Sequence, residues 1–101
     1  VPDTEARKEI LKIHLYKKPL ADDVKIDVLA EKTDGYTGAD LAALANTTSM
    51  LVIKKHITKS KTLEKAKETI KDLKIKMKDF EKTIEKMKPS SSAKKQQQYL
   101  Q

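Results

Sequence analysis

Residues 63–87 read LEKAKETIKDLKIKMKDFEKTIEKM, and how this stretch folds decides the architecture of the whole chain. Leu63, Ala66, Ile70, Leu73, Met77, Phe80, Ile84 and Met87 recur in alternating steps of three and four, with lysine and glutamate on the other faces. That is a heptad pattern. No glycine or proline interrupts it, so one continuous helix, or a coiled coil built on residues 63–87, is one reading. The other is a pair of helices, about 62–73 and 77–88, folded back with a break at Lys74-Ile75-Lys76. Ile75 lies off the heptad seam, which speaks for the break. Periodicity alone leaves both open.

Upstream the punctuation is clearer. Thr37-Gly38-Ala39-Asp40 starts a helix predicted to run to about Ile57, with Thr37 at the N-cap and Asp40 at the third helical position as a capping box. Leu41, Leu44, Ala45, Leu51 and Val52 supply its expected buried stripe. Its middle, Asn46-Thr47-Thr48-Ser49, is polar for a core helix, and such side chains can bond backbone carbonyls one turn back. Before it, Asp34-Gly35 stops a short helix from about Ile26 to Thr33, with Leu29 and Ala30 inward. The first helix is capped by Asp3 or Thr4, carries Ala6, Ile10 and Ile13 at helical spacing, and is ended by Pro19. Leu11 and Leu15 give it a second apolar side. At the other end, Pro89-Ser90-Ser91-Ser92 is a stop, and residues 89–101 form a tail, either a short helix or disordered.

The chain has 101 residues, enough for one compact domain with one modest core. It contains no cysteine, which excludes disulfides, Cys-ligated zinc and thiol nucleophiles. Two glycines in all argue against a phosphate-cradling loop. No apolar run approaches the roughly 20 residues needed to cross a bilayer. The net charge of +7 comes wholly from residues 58–101, which hold thirteen lysines against six acids, while residues 1–57 are neutral. Arg7 is the only arginine, and arginine is what nucleic-acid readers favour for bidentate grip. Lysine interleaved with glutamate reads instead as solvated helix faces. A basic nucleic-acid-binding module remains the rival from another class, with the 63–87 coiled coil a third possibility. Nothing in the residues builds a self-contained catalytic or metal site: His14 and His56 lie on separate helices with no set of ligands around them.

Several blocks resemble a known family. Pro2-Asp3, Arg7, Ile10-Leu11, Ile13-His14, then Leu20-Ala21-Asp22-Asp23-Val24, then Leu29-Ala30, Thr33 and Gly35-Tyr36-Thr37-Gly38-Ala39-Asp40-Leu41 follow the order and spacing of the C-terminal helical lid of AAA-type (AAA+) ATPases. Met77-Lys78-Asp79-Phe80 and Pro89-Ser90 continue the match to about residue 92. The combination is most similar to archaeal ATPases of the valosin-containing-protein, or cell-division-cycle, type. The resemblance implies an all-α small helical bundle of about four helices plus a C-terminal tail helix, with the lid over residues 1–88.

It also implies a function. In the family, residues matching Ile10 and His14 wall the adenine and ribose, and those matching Gly38 and Ala39 let the ring approach a helix start, whose partial positive charge faces the nucleotide. ATP or ADP is then the expected cofactor, with Mg supplied by a large α/β subdomain that this chain does not contain. The lid alone is expected neither to bind ATP tightly nor to hydrolyse it. Expected partners are its own large ATPase subdomain, neighbouring subunits of a homo-hexameric ring, and protein substrates to be unfolded, with no membrane, no specific nucleic acid, and a cytoplasmic location. Asp40 stands where many relatives carry a phosphate-sensing arginine, so no such sensor is expected. Blander roles stand beside these: His14 as a core-edge histidine, Gly38 and Ala39 as the start of a tightly packed helix. Arg7 is either an exposed partner of Asp3 or a partner across a domain or subunit boundary.

Overall fold

The computed structural model describes residues 1–87 and is all-α. The expected tail at 89–101 lies outside the described residues. Five helices follow in order: α1 (Thr4–Leu15), α2 (Ile26–Lys32), α3 (Gly38–Lys59), α4 (Leu63–Thr69) and α5 (Met77–Lys86), with a 3₁₀ turn at Ile70–Asp72 after α4. α3 is the spine: α1 and α5 pack along it, α2 packs on α1, and α4 leans on its C-terminal end.

The local signals operate as read. Asp3 caps α1 by accepting from the Ala6 N–H at 2.8 Å. Thr37 Oγ1 accepts from the Asp40 N–H at 3.1 Å, and Asp40 Oδ2 accepts from the Thr37 N–H at 2.9 Å, completing the capping box. Gly35 takes φ 83°, the left-handed conformation glycine adopts without a Cβ clash. α1, however, stops before reaching Pro19: it ends at Leu15, and Lys17 reverses the chain at φ 67°. Lys18, preceding proline, is disfavoured in helical geometry, so the turn must be made before it.

The heptad stretch does not form a continuous helix. Ile75 is 3% exposed and forms a parallel bridge with Leu20: its N–H donates to the Pro19 carbonyl at 2.7 Å, and its carbonyl accepts from the Ala21 N–H at 2.8 Å. These bonds hold the backbone extended between the 3₁₀ turn and α5. Asp23 Oδ1 accepts from the Met77 N–H at 3.2 Å, and Asp79 Oδ2 accepts from the Lys76 N–H at 2.8 Å, starting α5 afresh. The break lies where the off-seam isoleucine placed it, and the coiled-coil reading is corrected. Leu63 and Ile70 are accordingly 62% and 41% exposed rather than seam residues.

The main core joins Leu11 and Leu15 of α1, Leu29 and Ala30 of α2, Tyr36, Leu41, Leu44, Ala45 and Val52 around α3, Ile75, and Phe80 of α5. Leu51, expected in the stripe, is 42% exposed, because adjacent helical residues point about 100° apart and Val52 takes the inward direction. Ile13 is 72% exposed because, two residues from both Leu11 and Leu15, it points about 200° around the helix from each. The polar middle of α3 splits: Ser49 donates to the Ala45 carbonyl one turn back at 2.9 Å, whereas Thr48 reaches across to Thr83 of α5 at 2.9 Å. Thr83 donates in turn to the Asp79 carbonyl at 3.1 Å, so this buried pair leaves no hydroxyl proton unpartnered.

α4 contributes only Ala66 to the buried set and is held largely by polar contacts. The Thr69 hydroxyl donates to the Lys65 carbonyl, which leaves its oxygen to accept from His56 Nε2 at 2.9 Å. The Ala66 carbonyl lies 3.1 Å from the same nitrogen and can only accept, so Nε2 carries the proton.

Candidate functional site

Ile10 and His14 stand one turn apart on α1 and share a face. Ile10 is half-buried against the core, and His14 is half-buried without a hydrogen-bond partner among the described residues. α1 is held in place by Arg7, whose position corrects both roles expected of it. Arg7 is 3% exposed and lies inside the fold. Its guanidinium donates to the Ala30 carbonyl at 2.8 Å, the Pro2 carbonyl at 2.9 Å and Thr4 Oγ1 at 3.1 Å. Ala30 sits in the last turn of α2, where carbonyls lack helical partners and a cation is favoured. Arg7 therefore caps α2 from α1 and is not free to pair with Asp3 or another subunit.

Gly38 and Ala39 occupy the first turn of α3, the helix on which α1 packs. The turn before them is tightly specified. The Thr33 hydroxyl donates to the Leu29 carbonyl at 2.9 Å, the Tyr36 N–H donates to the Thr33 carbonyl at 3.0 Å, and the Tyr36 ring is buried at 2% exposure. Gly38 itself lies in ordinary helical geometry, and a Cβ built on it meets nothing within 4 Å. The tight-packing explanation for this glycine is therefore excluded: no part of the described chain needs its side chain to be missing. Ala39 is exposed.

The electrostatics of this turn differ from the sequence expectation. The Asp40 carboxylate, held in the capping box, offsets the partial positive charge of the helix start. The N–H groups of Gly38 and Ala39 have no internal partner among the described residues. The turn thus presents small residues and two donors without a strong anionic preference, which suits a flat, neutral ring better than a phosphate.

Tyr36 is a feature that sequence reasoning misses, since nothing in its local pattern marks a buried hydroxyl. Its phenol oxygen is buried without a hydrogen-bond partner. Burial first, and the Asp40 carboxylate second, push the phenol above its ordinary 10.0. Tyr36→Phe is therefore expected to leave stability unchanged or raise it by up to about 1 kcal/mol, since an unsatisfied polar group is removed. The alkaline limb gives the sign. Above pH 10 the unfolded chain loses the Tyr36 proton before the folded chain does, so stability falls as pH rises. Urea titrations of both proteins between about pH 8 and 11 should show a shallower decline for the Phe variant; parallel curves would mean that the hydroxyl is not buried unionised.

The structure thus places Ile10 with His14, and Gly38 with Ala39, on two packed helices. None of the four lines the groove of about 450 Å³ between α3 and α5, whose lining includes Leu51, Val52 and Lys55. No group of His, Asp or Glu among the described residues could hold a metal ion, and no helix there is long and apolar enough to cross a membrane.

Comparison with known proteins agrees with this architecture. Residues 23–82 match the family described as the AAA+ lid domain. Over 89 residues the chain is 54% identical to a cell division cycle protein 48 homolog of Archaeoglobus fulgidus, covering 88% of this chain and 12% of that protein. It is 43% identical to protein SAV of Sulfolobus acidocaldarius, again over 88% of this chain and 12% of the relative. An ATP-dependent zinc metalloprotease FtsH of Halothermothrix orenii is 41% identical over 85% of this chain and 11% of its own length. Among solved structures, a chain from work on katanin self-assembly superimposes with a TM-score of 0.78 at 31% identity, covering 89% of this chain and 32% of that one. The chain spans only a small part of each of these relatives.

Proposed function

The chain belongs to the AAA+ lid domain family, and from that premise we propose that it closes over a nucleotide held by a large ATPase subdomain. In this reading residues 1–88 are the lid, Ile10 packs on the adenine, and His14 faces the ribose. Gly38 and Ala39 let the ring come close to the first turn of α3. The observation that carries the reading is the open space at Gly38. A glycine in a helix costs about 1 kcal/mol relative to alanine, and nothing inside this fold requires it. A flat ligand approaching from outside supplies the requirement.

ATP or ADP is the ligand the family implies, and the residues present suit its base and sugar. The nucleotide supplies the free energy of hydrolysis; this chain's part is to enclose the base and exclude water from it. The phosphates and their Mg²⁺ would be held by the large subdomain, since no metal-holding cluster exists among the described residues and Asp40 disfavours an anion at the α3 start. Because α1, α2, α3 and α5 share one core, the lid would rotate as a unit when nucleotide binds or leaves. That rotation would be passed to the next subunit of a homo-hexameric, cytoplasmic ring that unfolds protein substrates.

Gly38→Ala tests that nothing inside the fold requires the glycine. In the isolated chain it is expected to raise stability by about 0.5–1 kcal/mol, because the helix gains and no atom is displaced. In the longer ATPase, Gly38→Val and His14→Ala are each expected to weaken binding of a fluorescent ADP analogue by about tenfold, near 1.4 kcal/mol. Wild-type affinity in both variants would show that the nucleotide is walled by other residues.

A further inference from the structure

The C-terminal half of α3 carries a surface that the nucleotide reading does not use. The groove between α3 and α5 is lined by Leu51 and Val52, with Lys54, Lys55 and Lys59 on one side and Lys82 and Lys86 on the other. Asp79 is the one acidic residue in this lining, and its Oδ2 already accepts from the Lys76 backbone. Among the described residues none of the five lysines has an ion-pair partner. Their mutual repulsion is evident at Lys55, whose ammonium is pushed below its ordinary 10.5 by Lys59 first and then by Lys82.

The groove continues into a second depression of about 270 Å³, which shares Lys54 and Thr58 with it. Met50, Ile53 and Ile57 line that depression and are 69%, 40% and 46% exposed. At i, i+3 and i+7 they form one apolar stripe on the outer side of α3. Unpaired lysines thus border a run of unburied apolar side chains.

We propose that this surface docks an acidic, amphipathic segment of another polypeptide, with its apolar side on Met50, Ile53 and Ile57 and its carboxylates on the groove lysines. Charge complementarity selects this occupant. The chain's own residues 88–101 contain three lysines and no acid, so they cannot neutralise the groove. The same groove on a second copy brings the same five unpaired lysines, so the surface does not complement itself. A nucleic acid could pair with the lysines, but its phosphates would leave the apolar stripe uncovered, and the groove lining has no arginine to grip them bidentately. A helical segment with leucines at three- and four-residue spacing and glutamates between them covers both features, in the manner of helix-in-groove recognition.

The test titrates the 101-residue chain against a fluorescein-labelled synthetic peptide of leucine and glutamate at helical spacing, followed by anisotropy. The comparison probes are a glutamate–serine peptide of equal charge and a single-stranded oligonucleotide. The leucine–glutamate peptide is expected to bind most tightly, to weaken with added salt, and to shift backbone amide resonances of α3 and α5 in the wild-type chain. Lys55→Glu with Lys82→Glu is expected to weaken it about tenfold, as two exposed attractive contacts become repulsive. Both lysines are exposed, and unchanged helical circular dichroism would verify the fold; should it change, the amide shifts of the wild-type chain decide. No binding, or binding of the glutamate–serine peptide or the oligonucleotide as tightly as the leucine–glutamate peptide, overturns the proposal. So does self-association of the chain in sedimentation that the double substitution abolishes, since the occupant would then be a second copy.

Discussion

Phe80→Ala is expected to lower the free energy of unfolding by about 3–5 kcal/mol. Phe80 has no exposed surface and joins the core of α1, α2 and α3 from α5. Truncation to alanine removes the ring's burial and leaves a cavity that flanking helices, pinned by the Thr48–Thr83 hydrogen bond, cannot readily collapse. A domain of this size has about 5–10 kcal/mol in total, so the variant should be close to its unfolding threshold. Its melting temperature should drop by about 15–30 °C. Leu63→Ala is the informative companion. Leu63 belongs to the same heptad series but is 62% exposed, so its loss should change stability by no more than about 0.5 kcal/mol. Urea denaturation followed by far-ultraviolet circular dichroism measures both. Comparable costs for the two would restore the continuous-helix reading of residues 63–87.

Arg7→Met is the second large effect, with an expected loss of about 2–3 kcal/mol, or about 10–20 °C in melting temperature. Methionine fills similar volume but donates nothing to the carbonyls of Ala30 and Pro2 or to Thr4. The Ala30 carbonyl would keep only a minor share of the Thr33 hydroxyl proton, at 3.3 Å against 2.9 Å to the Leu29 carbonyl. The Asp34 carboxylate, 3.8 Å from the guanidinium, contributes little, because its side chain is 94% exposed and water screens the pair. Asp34→Asn should therefore cost under about 0.5 kcal/mol. Arg7→Lys should recover little, since an ammonium is a point charge and cannot serve three acceptors arranged around a planar fork. If Asp34→Asn proved as damaging as Arg7→Met, the ion pair, and not the capping of α2, would be the source of the stability.

Helix starts and stops were legible because each depends on atoms within about four residues. The Thr37–Asp40 box, the Asp3 cap and the left-handed Gly35 are complete within one turn, and the structure shows each where the residues place it. The candidate site was legible in another way. The Gly-Tyr-Thr-Gly-Ala-Asp block and the Ile-His pair mark Ile10, His14, Gly38 and Ala39 by resemblance, with the small residues at a helix start expected to let a flat ring approach the backbone. The structure adds the open space around Gly38, the observation on which the proposed ligand site rests.

By itself, then, the sequence determined an all-helical chain, its caps and its family. What the tertiary structure decided was which apolar residues are core. Leu63, Ile70, Leu51 and Phe80 are equivalent by periodicity, yet only Phe80 is fully buried. The break at Ile75 depends on the Pro19–Ala21 segment, Arg7 on a carbonyl 23 positions away, and Thr48 on a hydroxyl 35 positions away. Hydrophobic spacing specifies which side of a helix is apolar, but burial requires a second element on that side. That second element comes from a distant part of the chain, and only folding brings it there.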